Sequence, residues 1–336
     1  MTDFTDLIDV AAERLGGAVI LANDEFFAPK ERLLMAAPPE WREGVYTERG
    51  KWMDGWETRR RRSEGYDWCI VRLGISPAIV RGVVVDTAWF RGNYPEACSI
   101  DACHVQGTPA LSDLTDARRS TWQELLPRQP LQGDTKNLFP VEDAAPVTHL
   151  RLNIFPDGGV ARLRVHGEAM PDPHALRAGG DGRREVNLAA MELGAYVIIC
   201  SDMFFGHRQN LILPGRSTRM GDGWETKRRR GPGHDWTIVR LAARGTIERI
   251  EIDTDHYKGN APGSCAVDVC DLAAATAEEL LAASWSPLVA QTPLQPHARH
   301  TFDAPAMHPV THVRLSIFPD GGIARLRVYG QVAAGT

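Results

Sequence analysis

The chain has 336 residues, 43% of them hydrophobic, and a formal net charge of −5. That supplies apolar material for one or two cores. The acidic balance argues against a partner held by phosphate neutralisation, so no nucleic-acid binding is expected. No apolar run reaches the length of a membrane span, and the opening Met1-Thr2-Asp3-Phe4 has no secretory signature, so a cytoplasmic protein without membrane contact is expected.

Taken in order, the elements read mostly as strands. Residues 18–22, 68–73, 79–85, 99–105, 149–154 and 161–165 are short apolar or alternating runs bounded by turn residues. Residues 7–15 and 277–283 are the best short helices. Pro156-Asp157-Gly158-Gly159 is a turn, and Pro319-Asp320-Gly321-Gly322 repeats it. Many short strands with Gly/Pro turns predict an all-β fold, with a β-sandwich of the jelly-roll kind in each half.

The chain is written twice. Asp54-Gly55-Trp56-Glu57-Thr58-Arg59-Arg60-Arg61-Arg62 returns as Asp222-Gly223-Trp224-Glu225-Thr226-Lys227-Arg228-Arg229-Arg230, and between 54–73 and 222–241 only positions 59, 63, 64, 66 and 69 differ. Asp24, Phe26 and Phe27 recur as Asp202, Phe204 and Phe205. Asp86-Thr87 with Gly92-Asn93 recurs as Asp253-Thr254 with Gly259-Asn260. The order of landmarks is kept, and the first half carries extra residues, mostly within 35–53. Two copies this long are domains rather than solenoid units: 1–168 and 185–336, joined by a Pro/Gly-rich linker over 169–184.

The doubled block holds the chemistry. Arginines can grip a carboxylate in a two-point fork, and Glu57 or Glu225 can move a proton. The alternative for the same residues is a surface Arg/Glu/Asp network with tryptophans shielding a sheet end. Asp86 and Asp253 each follow an apolar strand, where an acid, a hydroxyl and an amide can read ureido or amide groups or simply make Asx turns. His207, His234 and His256 occur only in the second half, so one half can carry catalysis while the other supports it. His149 and His312 read as structural. Cys98 and Cys103 recur as Cys265 and Cys270, but residues five apart on a strand face opposite ways, so buried reduced thiols are expected rather than a metal site. No P-loop, Gly-x-Ser-x-Gly or Gly-x-Gly-x-x-Gly appears.

With these motifs the chain resembles the allantoicase (allantoate amidinohydrolase) family. Asn23-Asp24-Glu25-Phe26-Phe27-Ala28-Pro29, the Asp54–Arg62 block, Tyr66-Asp67-Trp68-Cys69 and Asp86-Thr87-Ala88-Trp89-Phe90-Arg91-Gly92-Asn93 carry the likeness, over nearly the whole chain. The resemblance implies two tandem galactose-binding-like jelly rolls, a homo-oligomer (trimer or hexamer), and hydrolysis of allantoate to (S)-ureidoglycolate and urea. It fixes neither catalytic residues nor a metal; a divalent ion is compatible with it but has no support in ligand spacing.

On that chemistry, Arg59, Arg60 and Arg61, or Arg228 and Arg229, are candidates for the substrate carboxylate, Asn93 or Asn260 for a ureido group, and Trp56 and Trp224 for the walls. Glu57, Glu225, Asp86, Asp253 and His256 are candidates for proton transfer. The rival reading is a non-catalytic β-sandwich that binds a carbohydrate or another small ligand.

Overall fold

The computed structural model describes residues 3–105, 107–116, 122–143, 145–170, 176, 185–304 and 308–333. Most of the expected linker, 171–175 and 177–184, lies outside them. The chain divides into two compact units, Met1–Met170 and Pro171–Thr336.

In the first unit the strands are β1 (Ile8–Asp9), β2 (Ala18–Ala22), β3 (Tyr46–Thr47), β4 (Gly50–Lys51), β5 (Trp56–Glu57), β6 (Asp67–Arg72), β7 (Ala78–Asp86), β8 (Ala97–Cys103), β9 (Gln123–Pro130), β10 (Lys136–Pro140), β11 (Pro146–Val147), β12 (His149–Phe155), β13 (Gly159–Val160) and β14 (Arg162–Ala169), with the helix α1 (Leu111–Thr115) between β8 and β9. One antiparallel sheet runs β1-β14-β7-β10, with β11 also on β7; the other runs β2-β6-β12-β8-β9. The central strands β6, β7, β12 and β14 are mostly buried, their Val, Ile and Leu side chains forming the core of the sandwich.

The second unit repeats the plan with β15 (Val186–Asn187), β16 (Tyr196–Cys200), β17 (Trp224–Glu225), β18 (Asp235–Asp253), β19 (Ser264–Cys270), α2 (Ala277–Ala282), β20 (Ser286–Pro293), β21 (Arg299–Asp303), β22 (Val310–Phe318), β23 (Gly322–Ile323) and β24 (Arg325–Val332). Its main difference has a local cause. β18 runs for 19 residues where the first unit has β6, a break and β7. The break holds Pro77, which has no N–H for a ladder, whereas Arg244 stands at the matching place in β18: Met170 N–H donates to Pro77 O, and Ala333 N–H donates to Arg244 O. The unbroken strand pairs with β16, β21, β22 and β24 and so joins eight of the second unit's strands, all but β17 and β23, into one sheet.

Two expectations are corrected. Residues 7–15 are not a helix. Short 3-10 turns at Phe4–Asp6 and Glu13–Leu15 flank β1, which pairs with β14. Asp9 accepts from the backbone N–H of Ala11 and of Val165, so tertiary bonding overrides the apolar spacing. The block at 54–58 is polar but not peripheral: Asp54, Trp56, Glu57 and Thr58 are all buried. β5 pairs with β13, Trp56 opposite Val160 and Glu57 opposite Gly159, and β17 pairs with β23 in the same register.

Candidate active site

The Asp-Gly-Gly turn places the key carboxyl. Gly158 has φ +135°, which favours glycine, and a Cβ there would meet the Asn93 carbonyl oxygen at 2.8 Å. Gly159 N–H donates to that same oxygen at 2.8 Å. The loop after β7 is thereby fastened to β13, and β13 to β5. Across this junction the Asn93 amide Nδ2 donates to Glu57 Oε1 at 2.7 Å. Glu57 is only 8% exposed. Burial pushes its carboxyl above the ordinary glutamate range, and the Asn93 bond offsets only part of that. In the second unit Gly322 N–H donates to Asn260 O at 2.9 Å, and Asn260 Nδ2 donates to Glu225, also raised by burial.

A cavity of about 610 Å³ opens over the first of these pairs. Glu57 and Asn93 line it together with Phe27, Met53, Trp41 and Trp89, and with two cations, Lys51 and Arg91. Trp41 and Trp89 stand 5.7 Å apart, and the Trp89 indole N–H donates to Pro39 O at 3.1 Å. Trp41, Lys51 and Met53 come from the extra segment 35–53. In the second unit Met220 takes a different part: its carbonyl accepts from Tyr257 Oη at 2.7 Å, and its sulfur lies 3.4 Å from Asn260 Nδ2.

The other expected residues are placed elsewhere. Trp56 and Trp224 are fully buried, and each indole N–H donates to a backbone carbonyl, of Asp24 and Asp202, at 2.8 Å. They are core posts rather than ligand walls. Arg59 pairs with Asp24 at 2.8 Å, and Arg61 reaches Asp67 at 2.6 Å. Arg229 pairs with Asp235. Arg60 and Arg228 are exposed. Among the described residues none of Arg59, Arg60 and Arg61 lines the cavity.

Asp86 and Asp253 take the structural alternative: each accepts from the N–H two residues on, of Ala88 at 2.9 Å and Asp255 at 2.8 Å. His256 occupies the place of Trp89, both at φ +70°; its Nε2 lies 3.1 Å from Ser217 O, and its N–H donates to His297 Nδ1. His149 and His312 are buried, each with Nδ1 2.9 Å from the hydroxyl of the preceding threonine. All six cysteines are free thiols. Among the described residues no group of three or more His, Cys, Asp or Glu is placed to hold a metal ion.

Sequence reasoning missed Lys51, Arg91, Trp41, Trp89, Phe27 and Met53. The signal available was the asymmetry itself: 35–53 has no counterpart of equal length in the second half.

Fold and site together define a tandem all-β sandwich protein with a buried glutamate hydrogen-bonded to an asparagine in each repeat. The family model described as Allantoicase repeat matches residues 8–170 and 186–333. The probable allantoicase of Nocardia farcinica (strain IFM 10152) is 48% identical over 331 residues, covering 98% of this chain and 95% of its own. That of Pseudomonas aeruginosa (strain UCBPP-PA14) is 46% identical over 332 residues, covering 97% and 96%. The crystal structure of allantoicase from Saccharomyces cerevisiae is similar with a TM-score of 0.79 at 35% identity, over 96% of this chain and 92% of that one. The chain belongs to the allantoicase family.

Proposed function

We infer that the protein is a hydrolase that converts allantoate and water to (S)-ureidoglycolate and urea, a step of allantoin breakdown, and that the first-repeat cavity is where it does so. Allantoate carries one carboxylate and two ureido groups on a single carbon. To expel urea, the C–N bond to one ureido nitrogen must break and that nitrogen must gain a proton. The electron pair of the other ureido nitrogen assists, and water supplies the hydroxyl that replaces urea. Glu57 suits the proton traffic. Asn93 donates to Oε1, which leaves Oε2 to carry the proton, and burial raises the carboxyl's pKa in favour of that protonated form. Glu57 gives that proton to the departing nitrogen and takes one back from the incoming water, so the carboxyl ends each cycle as it began. Trp41 and Trp89 line the cavity with apolar rings that suit planar ureido groups and displace water from beside the reacting carbon.

The Glu57–Asn93 contact at the wall of the cavity carries this reading. Urea release from Glu57→Gln and Glu225→Gln tests it. The first is expected to lose about 10²–10⁴-fold in kcat, the scale of a lost general acid; the second is expected to keep most of its turnover. Near-normal turnover by folded Glu57→Gln would discard the glutamate. Loss confined to Glu225→Gln would move the site to the second repeat.

The exposed pair Phe204 and Phe205, at 71% and 63%, supports a homo-oligomer, trimer or hexamer, which sedimentation measures directly. The six reduced cysteines support a cytoplasmic setting. Among the described residues no helix is long and apolar enough to cross a membrane.

A further inference from the structure

We propose that Lys51, at the end of the hairpin strand β4, is the group that binds the substrate carboxylate and thereby sets the enzyme's preference for ureido acids over neutral ureides. This rests on the first-repeat cavity being the reaction site. The two cations of the cavity lining are not equally balanced. Arg91 is neutralised, its Nε lying 3.0 Å from Asp134 Oδ2, while the other oxygen of that carboxylate accepts from Trp89 N–H. The arginines of the doubled block have their own carboxylates or lie outside the cavity. Lys51 differs from both. Among the described residues it meets no carboxylate; its ammonium stands 4.1 Å above the ring of Trp41. A ring face attracts a cation but does not neutralise it, so with Glu57 in the protonated form from which the proposed reaction starts, Lys51 leaves the cavity one positive charge in excess, which a monoanion with a single carboxylate balances.

The hairpin explains why the charge is on this side. Neighbouring residues of a strand face opposite ways. Trp52 follows Lys51, and its ring is covered by Arg32 at 4.9 Å and Arg42 at 4.6 Å, away from Trp41. The second repeat is built otherwise. Arg219 stands at the matching position in the sequence, three residues before the Asp-Gly-Trp-Glu block, and its Nε lies 3.9 Å from Asp222 Oδ1. The cation three residues before the block is thus paired in one repeat and open in the other.

Lys51→Met, Lys51→Arg and Arg219→Met, each assayed for urea release, test the proposal. Lys51 is exposed on a hairpin, so the substitutions leave the core intact. Lys51→Met is expected to raise KM for allantoate about tenfold to a hundredfold, the scale of a lost charge-assisted contact, with kcat within about threefold of the parent. Lys51→Arg recovers most of that loss, and Arg219→Met leaves KM unchanged. Inhibition by N-carbamoylglycine and by its primary amide separates charge recognition from general damage. Lys51→Met weakens the acid by the same factor as KM and leaves the amide untouched. A KM within twofold of the parent, or equal weakening of acid and amide, overturns the assignment while inactive Glu57→Gln still marks the cavity as the site. Full turnover by Glu57→Gln removes the cavity reading and the anchor with it.

Discussion

Gly159 lies flat against Phe90: a Cβ built on it would stand 1.9 Å from a ring carbon, and Gly322 meets Tyr257 at 2.0 Å in the same way. Phe90 is fully buried against Met53 and Ala161, so its ring has nowhere to retreat. Because Gly159 is also the register partner of Glu57, whatever displaces it displaces the carboxyl. Gly159→Ala is expected to cost on the order of 3 kcal/mol by overpacking and to abolish most urea release. Gly259→Ala, where a Cβ meets nothing within 4 Å, is the matched control and is expected to change stability by less than about 0.5 kcal/mol. Guanidinium chloride unfolding of both reads the difference.

Arg162 anchors the cavity segment to the sheet. It is buried, binds Asp54 through Nη2 at 2.8 Å and Nη1 at 3.3 Å, and donates through Nε to Ala37 O at 2.9 Å. Burial raises the Asp54 carboxyl, but the bonds from Arg162 and from Glu40 N–H outweigh it and hold the group below the ordinary aspartate range. Arg162→Met leaves that carboxylate buried with the Glu40 N–H and, as its remaining cation among the described residues, Arg32 at 3.7 Å. The expected loss is roughly 3–5 kcal/mol, together with a raised KM as Ala37 and the residues after it lose their tether. Adding Asp54→Asn removes the stranded charge and recovers part of the stability, a coupling that a double-mutant cycle measures.

What could be read from the sequence follows from where the determining forces lie. The central strands β7, β12 and β14 carry apolar side chains at strand spacing, so pattern alone locates β7 and β12 within a residue and finds the start of β14, which runs four residues beyond the expected end at 165. The Asp-Gly-Gly turns were legible for the same local reason. The doubled Glu57 and Asn93 were legible as candidates, and the structure brings them together. The arginine run drew attention for its charge, yet Arg61 meets Asp67 only six residues on, a local pairing that sequence shows only once the turn between them is known. The cavity was not legible at all. Its walls join residues 41, 51 and 53 to residues 89 and 91 through tertiary contacts, on a segment whose only regular structure is the two-residue hairpin pair β3–β4.

His312 makes acid stability a readable quantity. It is buried, its Nε2 has no hydrogen-bond partner among the described residues, and burial, helped by the Arg240 charge, lowers its pKa to about 4. A folded pKa below the unfolded one means that the neutral ring's contribution is complete above pH of about 6.5 and is lost as the pH falls through about 4. The loss at the acid end is roughly 3 kcal/mol from this one ring. His312→Leu is expected to flatten the stability profile over that window, as followed by thermal melts from pH 7 to pH 4.

Glu57 works in the opposite direction. Its folded pKa lies above its unfolded value because of burial, so its contribution to stability is complete at low pH and is lost as pH rises through the folded pKa. Glu57→Gln has no charge to bury, and Asn93 can still donate to its amide oxygen. The variant is therefore expected to melt higher than the parent above the carboxylate range, with the gap closing as the pH drops toward 4. The same titration governs turnover. As the proton donor to the departing urea nitrogen, Glu57 must start protonated, so kcat falls on the alkaline side with an apparent pKa above that of an ordinary glutamate. The Glu225→Gln variant keeps this limb. A kcat that instead falls on the acid side through the same pKa would reverse the role, making Glu57 the base that activates water. The stability gap between the parent and Glu57→Gln would be unchanged by that outcome, because it depends on burial and the Asn93 bond and not on the catalytic role.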